Sequence, residues 1–134
     1  MSLYSDENVI TKYFIDNWTH TKVSYDGVPF SVPTANEWIS LALVPYRREL
    51  YAIAPQHGRK KDYASIEIRC FAGSPTLVKK LCEIVLNFLE CKTLTANDGK
   101  EILISIGEPS DLGAENLENG TFMFPLSFDT VKYN

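Results

Sequence analysis

Two segments of this chain alternate apolar and polar residues with a period of two. Within residues 37–45, Ile39, Leu41 and Leu43 alternate with Ser40 and Ala42. Such alternation is typical of a strand with one buried face. Residues 62–71 repeat the pattern, and the residues predicted to share their buried face are Ala64, Ile66, Ile68 and Cys70. Both segments are therefore predicted to be strands of one half-buried sheet.

Three further segments are predicted to be strands. Residues 22–25 are short, and residues 101–106 follow the strong turn signal Asn97-Asp98-Gly99. The last strand covers residues 121–133, where Pro125 cannot donate to a ladder and predicts an edge position. The residues predicted to point inward are Ile102, Ile104 and Ile106 in the fourth strand and Phe122, Phe124, Leu126 and Phe128 in the last.

Helical spacing of apolar residues marks two other segments. Residues 6–18 form the first predicted helix, with Ser5 as its N-cap. Residues 75–91 form the second, because Ser74 can cap its first turn and Pro75 suits the first helical position. The two apolar stripes contain Val9, Ile10, Tyr13, Phe14 and Trp18, and then Leu77, Val78, Leu81, Ile84, Val85, Phe88 and Leu89.

The resulting order is helix, three strands, helix, two strands. Clustered strands with few helices predict an α+β fold: a mainly antiparallel β-sheet with two α-helices packed on one face. The 134 residues fit a single domain, residues 1–134. Between the two long strands, residues 46–61 are polar and too many for a tight turn, so they are predicted to form a loop.

Composition narrows the possible functions. The apolar share of 45% and the charged share of 22% are ordinary for a globular protein. A net charge of −4 argues against a dedicated nucleic-acid binder. No apolar run approaches the ~20 residues that cross a bilayer. The N-terminal residues lack the pattern of a signal peptide, so we expect a cytoplasmic protein that makes no membrane contact.

Residues that could carry chemistry form no recognisable site. The histidines, His20 and His57, lack metal-ligand spacing, and no nucleophile motif is present. The acidic residues of segment 98–118 predict a solvated rim and not a catalytic pair. Buried structural thiols are predicted for Cys70, Cys82 and Cys91. We therefore expect no enzymatic activity, no catalytic residues, no cofactor and no metal.

The predicted loop, residues 46–61, carries the strongest local charge. It holds five basic residues opposed only by Glu49, a net +4, which leaves about −8 for the rest of the chain. Such a run is either a solvated, mobile loop or a surface that docks on an acidic partner or on passing DNA. The apolar stretch Leu50–Pro55 favours docking. The interface residues of this hypothesis are Arg47, Arg48, Tyr51, Arg59, Lys60 and Lys61.

Three segments also carry a family resemblance. They are the first helix ending at Trp18, then Val28-Pro29-Phe30, then Trp38-Ile39-Ser40-Leu41-Ala42-Leu43. With the order of elements from residue 6 to residue 133, they make the chain resemble the tail terminator, or tail completion, proteins of long-tailed phages and prophages. The basic segment is the stretch least like that family, so its role is inferred from its residues alone.

The resemblance implies a structural role. Such subunits form a ring, typically hexameric, on the head-proximal end of the tail tube, where they end tube polymerisation and offer a head-joining surface. The partners implied are further copies of the chain, the tail tube protein and a head-completion or connector protein, while DNA only passes through the channel. The implied location is the host cytoplasm during assembly and then the virion tail. Two alternatives stay open: another head-tail connector or neck protein, and a small-molecule-binding α+β domain.

Overall fold

In the part of the chain that the structure describes, the fold has two helices and eight strands. The computed structural model describes the backbone of residues 3–53, 58–109, 113–117 and 120–133, and the side chains of residues 8–43, 65–109, 113–117 and 120–132. In chain order the elements are α1 (Leu3–Asn17), β1 (Lys22–Tyr25), β2 (Trp38–Ile53), β3 (Gly58–Ala72), α2 (Pro75–Leu89), β4 (Thr93–Thr95), β5 (Glu101–Ile104), β6 (Glu108–Pro109), β7 (Glu115–Asn116) and β8 (Phe122–Tyr133). The α+β class is confirmed.

All eight strands belong to one sheet with the order β1-β2-β3-β8-β5-β4. Every pairing is antiparallel except that of β1 with β2, which is parallel. The short strands β6 and β7 also pair with β8. Because β3 occupies the whole of one edge of β8, strands β5, β6 and β7 follow one another along its other edge.

The core lies between the two helices and one face of the sheet. Phe14 of α1 is fully buried, with its ring centroid 5.0 Å from that of Phe88 in α2 and 6.2 Å from that of Trp18. The predicted inward alternation is confirmed for the described side chains of β2 and β3 and for Leu126 and Phe128 of β8. The buried strand residues of the core cluster are Ile39, Leu41, Ile66, Ile68, Cys70, Ala72, Ile104, Leu126 and Phe128.

The start of α2 forms as its sequence predicts. The Ser74 hydroxyl accepts a hydrogen bond from the Leu77 backbone N–H at 3.2 Å, and Pro75 opens the helix. Leu77 itself is 48% exposed, so its predicted place in the apolar stripe is wrong. It lies on the flank of α2 that also carries Phe88, and the rings of α1 cover that flank only near Phe88.

The predicted loop at residues 46–61 is wrong, because β2 and β3 run through most of it as paired strands. Only residues 54–57 lie outside the described part. The pairing shifts register twice, between Val44 and Arg47 and again between Leu50 and Ala52. A bulge adds one residue to one strand and therefore breaks the period-two alternation. The lost alternation explains why this part of the sequence did not predict strands.

The predictions for Ser5 and Ile106 are also corrected. Ser5 does not cap α1, which begins two residues earlier. Ile106 is 65% exposed, because β5 ends at Ile104 and the chain turns Gly107 inward instead. A Cβ at Gly107 would collide with Leu86 and Phe128, so only glycine fits there without a shift.

Pro125 does not mark an edge strand, since β8 has partners on both sides. It pairs with Arg69 of β3, and on its other side it faces the break between β6 and β7. A residue that cannot donate to a ladder is tolerated where the ladder is interrupted. The short strands β4, β6 and β7 were not predicted.

Candidate assembly interface

The residues predicted to form an interface lie on a two-stranded extension, the hairpin arm, which we define as residues 46–53 and 58–61. Pairing places Arg48 opposite Asp62, Glu49 opposite Lys61, and Ala52 opposite Arg59. Lys60 pairs with Leu50 and Arg47 with Tyr63, while Tyr51 falls at a register shift. The backbone thus brings all six predicted residues into one arm, although their side chains lie outside the described residues.

The hairpin arm projects past the strands on both sides of it. On one side, β1 pairs with β2 only as far as the pair Tyr25 and Leu41. On the other, β8 ends at Tyr133, opposite Lys61. Within the described part of the chain, β2 therefore has no partner on its outer edge from residue 42 to residue 53. Unpaired backbone N–H and C=O groups at such an edge can pair with another chain.

Acidic residues lie on the opposite side of the sheet, beyond β8. Glu101 in β5, Glu108 in β6 and Glu115 in β7 are all exposed, and we call these three residues the acidic edge. Among the described residues β6 and β7 have no outer strand, whereas β4 pairs with the outer side of β5. Segment 98–118 contains six acidic residues and one lysine, a net −5. The described acids are solvated, as the sequence predicted. Two surfaces of opposite charge therefore lie on opposite edges of one sheet.

The sheet face away from the helices carries a shallow groove between these edges. Its volume is about 420 Å³, and Glu67 and Arg69 of β3 line it together with Glu108, Pro109 and Pro125. Glu67 and Arg69 are exposed, in agreement with their outward position in the predicted alternation. The groove joins charged side chains of both signs and contains no cluster of catalytic groups among its lining residues.

Three aromatic rings form a ledge at the end of the sheet distant from the hairpin arm. Trp38 and Phe71 stack with centroids 4.5 Å apart and planes 4° from parallel, and Phe30 lies 6.2 Å from Trp38. We call Phe30, Trp38 and Phe71 the aromatic ledge. It joins two of the segments that carried the family resemblance. Nearby in sequence, Val28 and Val32 are exposed, and exposed apolar groups of this kind mark interaction surfaces when they are contiguous.

A buried ion pair ties β8 to the turn between β4 and β5. The Lys132 ammonium lies 2.8 Å from a carboxylate oxygen of Asp98, and the two side chains are 1% and 31% exposed. Hydrogen bonds from Lys132 and from the Lys100 backbone lower the pKa of the Asp98 carboxyl below its ordinary value. Sequence reasoning missed this pair. Continuing the alternation of Leu126 and Phe128 by two steps would have placed Lys132 on the buried face.

The remaining candidates for chemistry stay separate. A side-chain hydrogen bond with Cys82, together with burial, raises the pKa of the Cys70 thiol, so that thiol stays protonated. Cys91 is exposed, which corrects its predicted burial. His20 lies 3.4 Å from Glu37, and His57 lies outside the described residues. Among the described residues no group of three or more His, Cys, Asp or Glu could hold a metal ion.

Helices that could span a bilayer are absent from the described part of the chain. No protein-family model matches the sequence, and no curated protein sequence matches it. Chains of several solved structures share the fold, and two of them serve as examples. A chain from the virion of a native gene transfer agent particle is 15% identical, with a TM-score of 0.65 over 99% of this chain and 100% of its own. A second structure is 12% identical, with a TM-score of 0.59 over 98% of this chain and 92% of its own. At these identities the likeness establishes the fold.

Proposed function

We propose that the chain is a structural protein of a virion tail: a tail terminator that forms a ring on the head-proximal end of the tail tube, hexameric as in the terminator family that it resembles. The observation that carries this proposal is the end-to-end likeness to a chain from a virion. The match covers 99% of this chain and 100% of the other, so the likeness is one of the whole domain and not of a part of it. The resemblance of Trp18, Val28-Pro29-Phe30 and the start of β2 to the terminator family supports the finer assignment.

A ring subunit needs two different surfaces that fit each other. When such surfaces lie on opposite sides of a subunit, copies join head to tail and a suitable rotation closes the ring. The chain has a basic arm at one edge of its sheet and an acidic edge at the other.

The charge of the chain suits a channel through which DNA passes. With a net charge of −4, the protein as a whole does not attract the phosphate backbone. The hairpin arm is the exception, and in the lumen it would retain DNA. We therefore place the arm at a contact between ring subunits or with the tube.

The test is the growth of tail tubes from purified tube protein in the presence of the chain. The proposal predicts shorter tubes, with one end of each carrying the added protein, because a bound ring leaves no surface for the next tube subunit. An unrelated acidic protein at the same concentration is the control and should leave the length distribution unchanged. Unchanged lengths and bare ends with the chain present would refute the terminator assignment. Binding to the head connector alone would identify a neck protein instead.

A further inference from the structure

We infer that the hairpin arm of one copy docks on the acidic edge of a second copy. This inference rests on the proposed function, which requires copies of the chain to associate, and it names the two surfaces that meet. The occupant of the arm is thus another molecule of the same chain, and the chemistry of the contact is a basic strand pair against glutamates of short edge strands.

The topology places the two surfaces where such a contact can repeat. The arm extends from β2 and β3, while Glu108 and Glu115 lie on β6 and β7, beyond β8. The hairpin arm and the acidic edge therefore lie on opposite sides of the sheet. A copy that offers its arm on one side still has its acidic edge free for the next copy. This is a heterologous contact, which forms a ring when its rotation closes.

The charges of the two surfaces are complementary in sign and similar in size. Residues 46–61 carry a net +4 and segment 98–118 a net −5. Asp98 already pairs with Lys132 within the chain, which leaves an excess close to that of the arm. Opposite potentials attract partners during encounter and fix their orientation, whereas like charges across an interface cost several kcal/mol. A second copy of the chain therefore carries the complementary charge, and the contact needs no other protein.

The open strand edges support the same arrangement. β1 covers one end of the outer edge of β2, and residues 42–53 are left without a strand partner in the described structure. On the far side, β4 covers only β5, and β6 and β7 have no outer strand within the described residues. Long open edges invite pairing with other chains unless something covers them. Each contact between two copies covers the open edge of β2 in one copy and the open edge of β6 and β7 in the other.

A charge-swap experiment tests the contact: each of two variants has the charge of one surface reversed, and the two variants are then mixed. Variant A carries Arg47→Glu, Arg48→Glu and Arg59→Glu, which changes the net charge of residues 46–61 from +4 to −2. Variant B carries Glu101→Lys, Glu108→Lys and Glu115→Lys, which changes the net charge of segment 98–118 from −5 to +1. Each variant alone sets like charges against each other, so its association should be at least about a hundredfold weaker than that of the wild type. Mixed in equal amounts, A and B restore opposite charges at every contact. The mixture should assemble as the wild type does in sedimentation velocity at low salt.

A matched control reverses three charges elsewhere. Lys12 on α1 and Lys79 and Lys80 on α2 are exposed and belong to neither surface, so Lys12→Glu with Lys79→Glu and Lys80→Glu should leave assembly unchanged. Circular dichroism of every variant verifies that it is folded. If the mixture fails to assemble while the wild type does, the inference is wrong. It is also wrong if variant A forms normal rings but no longer binds tube ends, since the arm then contacts the tube. If the wild type forms rings only on tube ends, the same mixing experiment is carried out there, and a mixture of A and B that leaves tube ends bare overturns the inference. A wild type that forms rings in neither setting also overturns it, and the tube-length assay of the wild type decides the proposed function separately.

Discussion

Replacing Phe14 with alanine is expected to lower the free energy of unfolding by about 3–5 kcal/mol. Phe14 is fully buried between α1, α2 and the sheet, and its ring contacts those of Trp18 and Phe88. Truncation removes these contacts and leaves a cavity that the packed aromatic side chains can fill only in part. Such a loss is a large fraction of the ~5–15 kcal/mol that stabilises a typical domain.

Ile15 provides the matched control for this change. It follows Phe14 in the same helix, yet its side chain is 62% exposed, so Ile15→Ala should change stability by less than about 0.5 kcal/mol. Urea unfolding followed by circular dichroism measures both variants. If Phe14→Ala and Ile15→Ala lower the free energy of unfolding equally, Phe14 does not pack in the core between α1 and α2.

The second large effect concerns the buried ion pair of Asp98 and Lys132. Asp98→Ala should destabilise the protein more than Lys132→Met does. The first change leaves an ammonium that is 1% exposed without this carboxylate, whereas the second leaves a carboxylate that still reaches water. Methionine also fills much of the space of the lysine stem. Urea midpoints at neutral pH compare the two variants, and the reverse order would contradict the geometry.

The same pair predicts a dependence of stability on pH. The pKa of Asp98 is lower in the folded protein, so its carboxylate stabilises the fold above its unfolded pKa. That contribution is lost as the pH falls below about 4 and through the folded pKa. The wild type should therefore lose more stability between neutral pH and pH 3 than Lys132→Met, in which the main cause of the shift is gone. Equal losses in both proteins would show that the ion pair does not set the pKa of Asp98.

Much of the fold could be predicted because two local signals are strong in this sequence. Alternation identified the faces of β2 and β3 near Ile39 and Ile68, and Ser74-Pro75 identified the start of α2. Both signals depend only on residues close in sequence. The hairpin arm was missed because two register shifts disturb that alternation. The strands β6 and β7 have two residues each, too few for any periodicity.

The candidate interface shows a different limit. The basic residues around Arg47 and Lys60 stand out from composition, and so do the acids around Glu108. The relative positions of these two groups cannot be read from composition, because they depend on β8 lying between β3 and the acidic edge. That order of strands results from pairing between residues distant in sequence. Gly107 illustrates the same point, since its packing against Phe128 turns Ile106 outward against the local pattern.

The most direct test of the account is light scattering after size-exclusion chromatography, with and without purified tail tube protein, followed by negative-stain microscopy of the same fractions. Rings are expected, either from the chain alone or only on tube ends, and the measured mass gives the number of subunits in each ring. A chain that remains monomeric at high concentration and leaves tube ends bare would contradict the account.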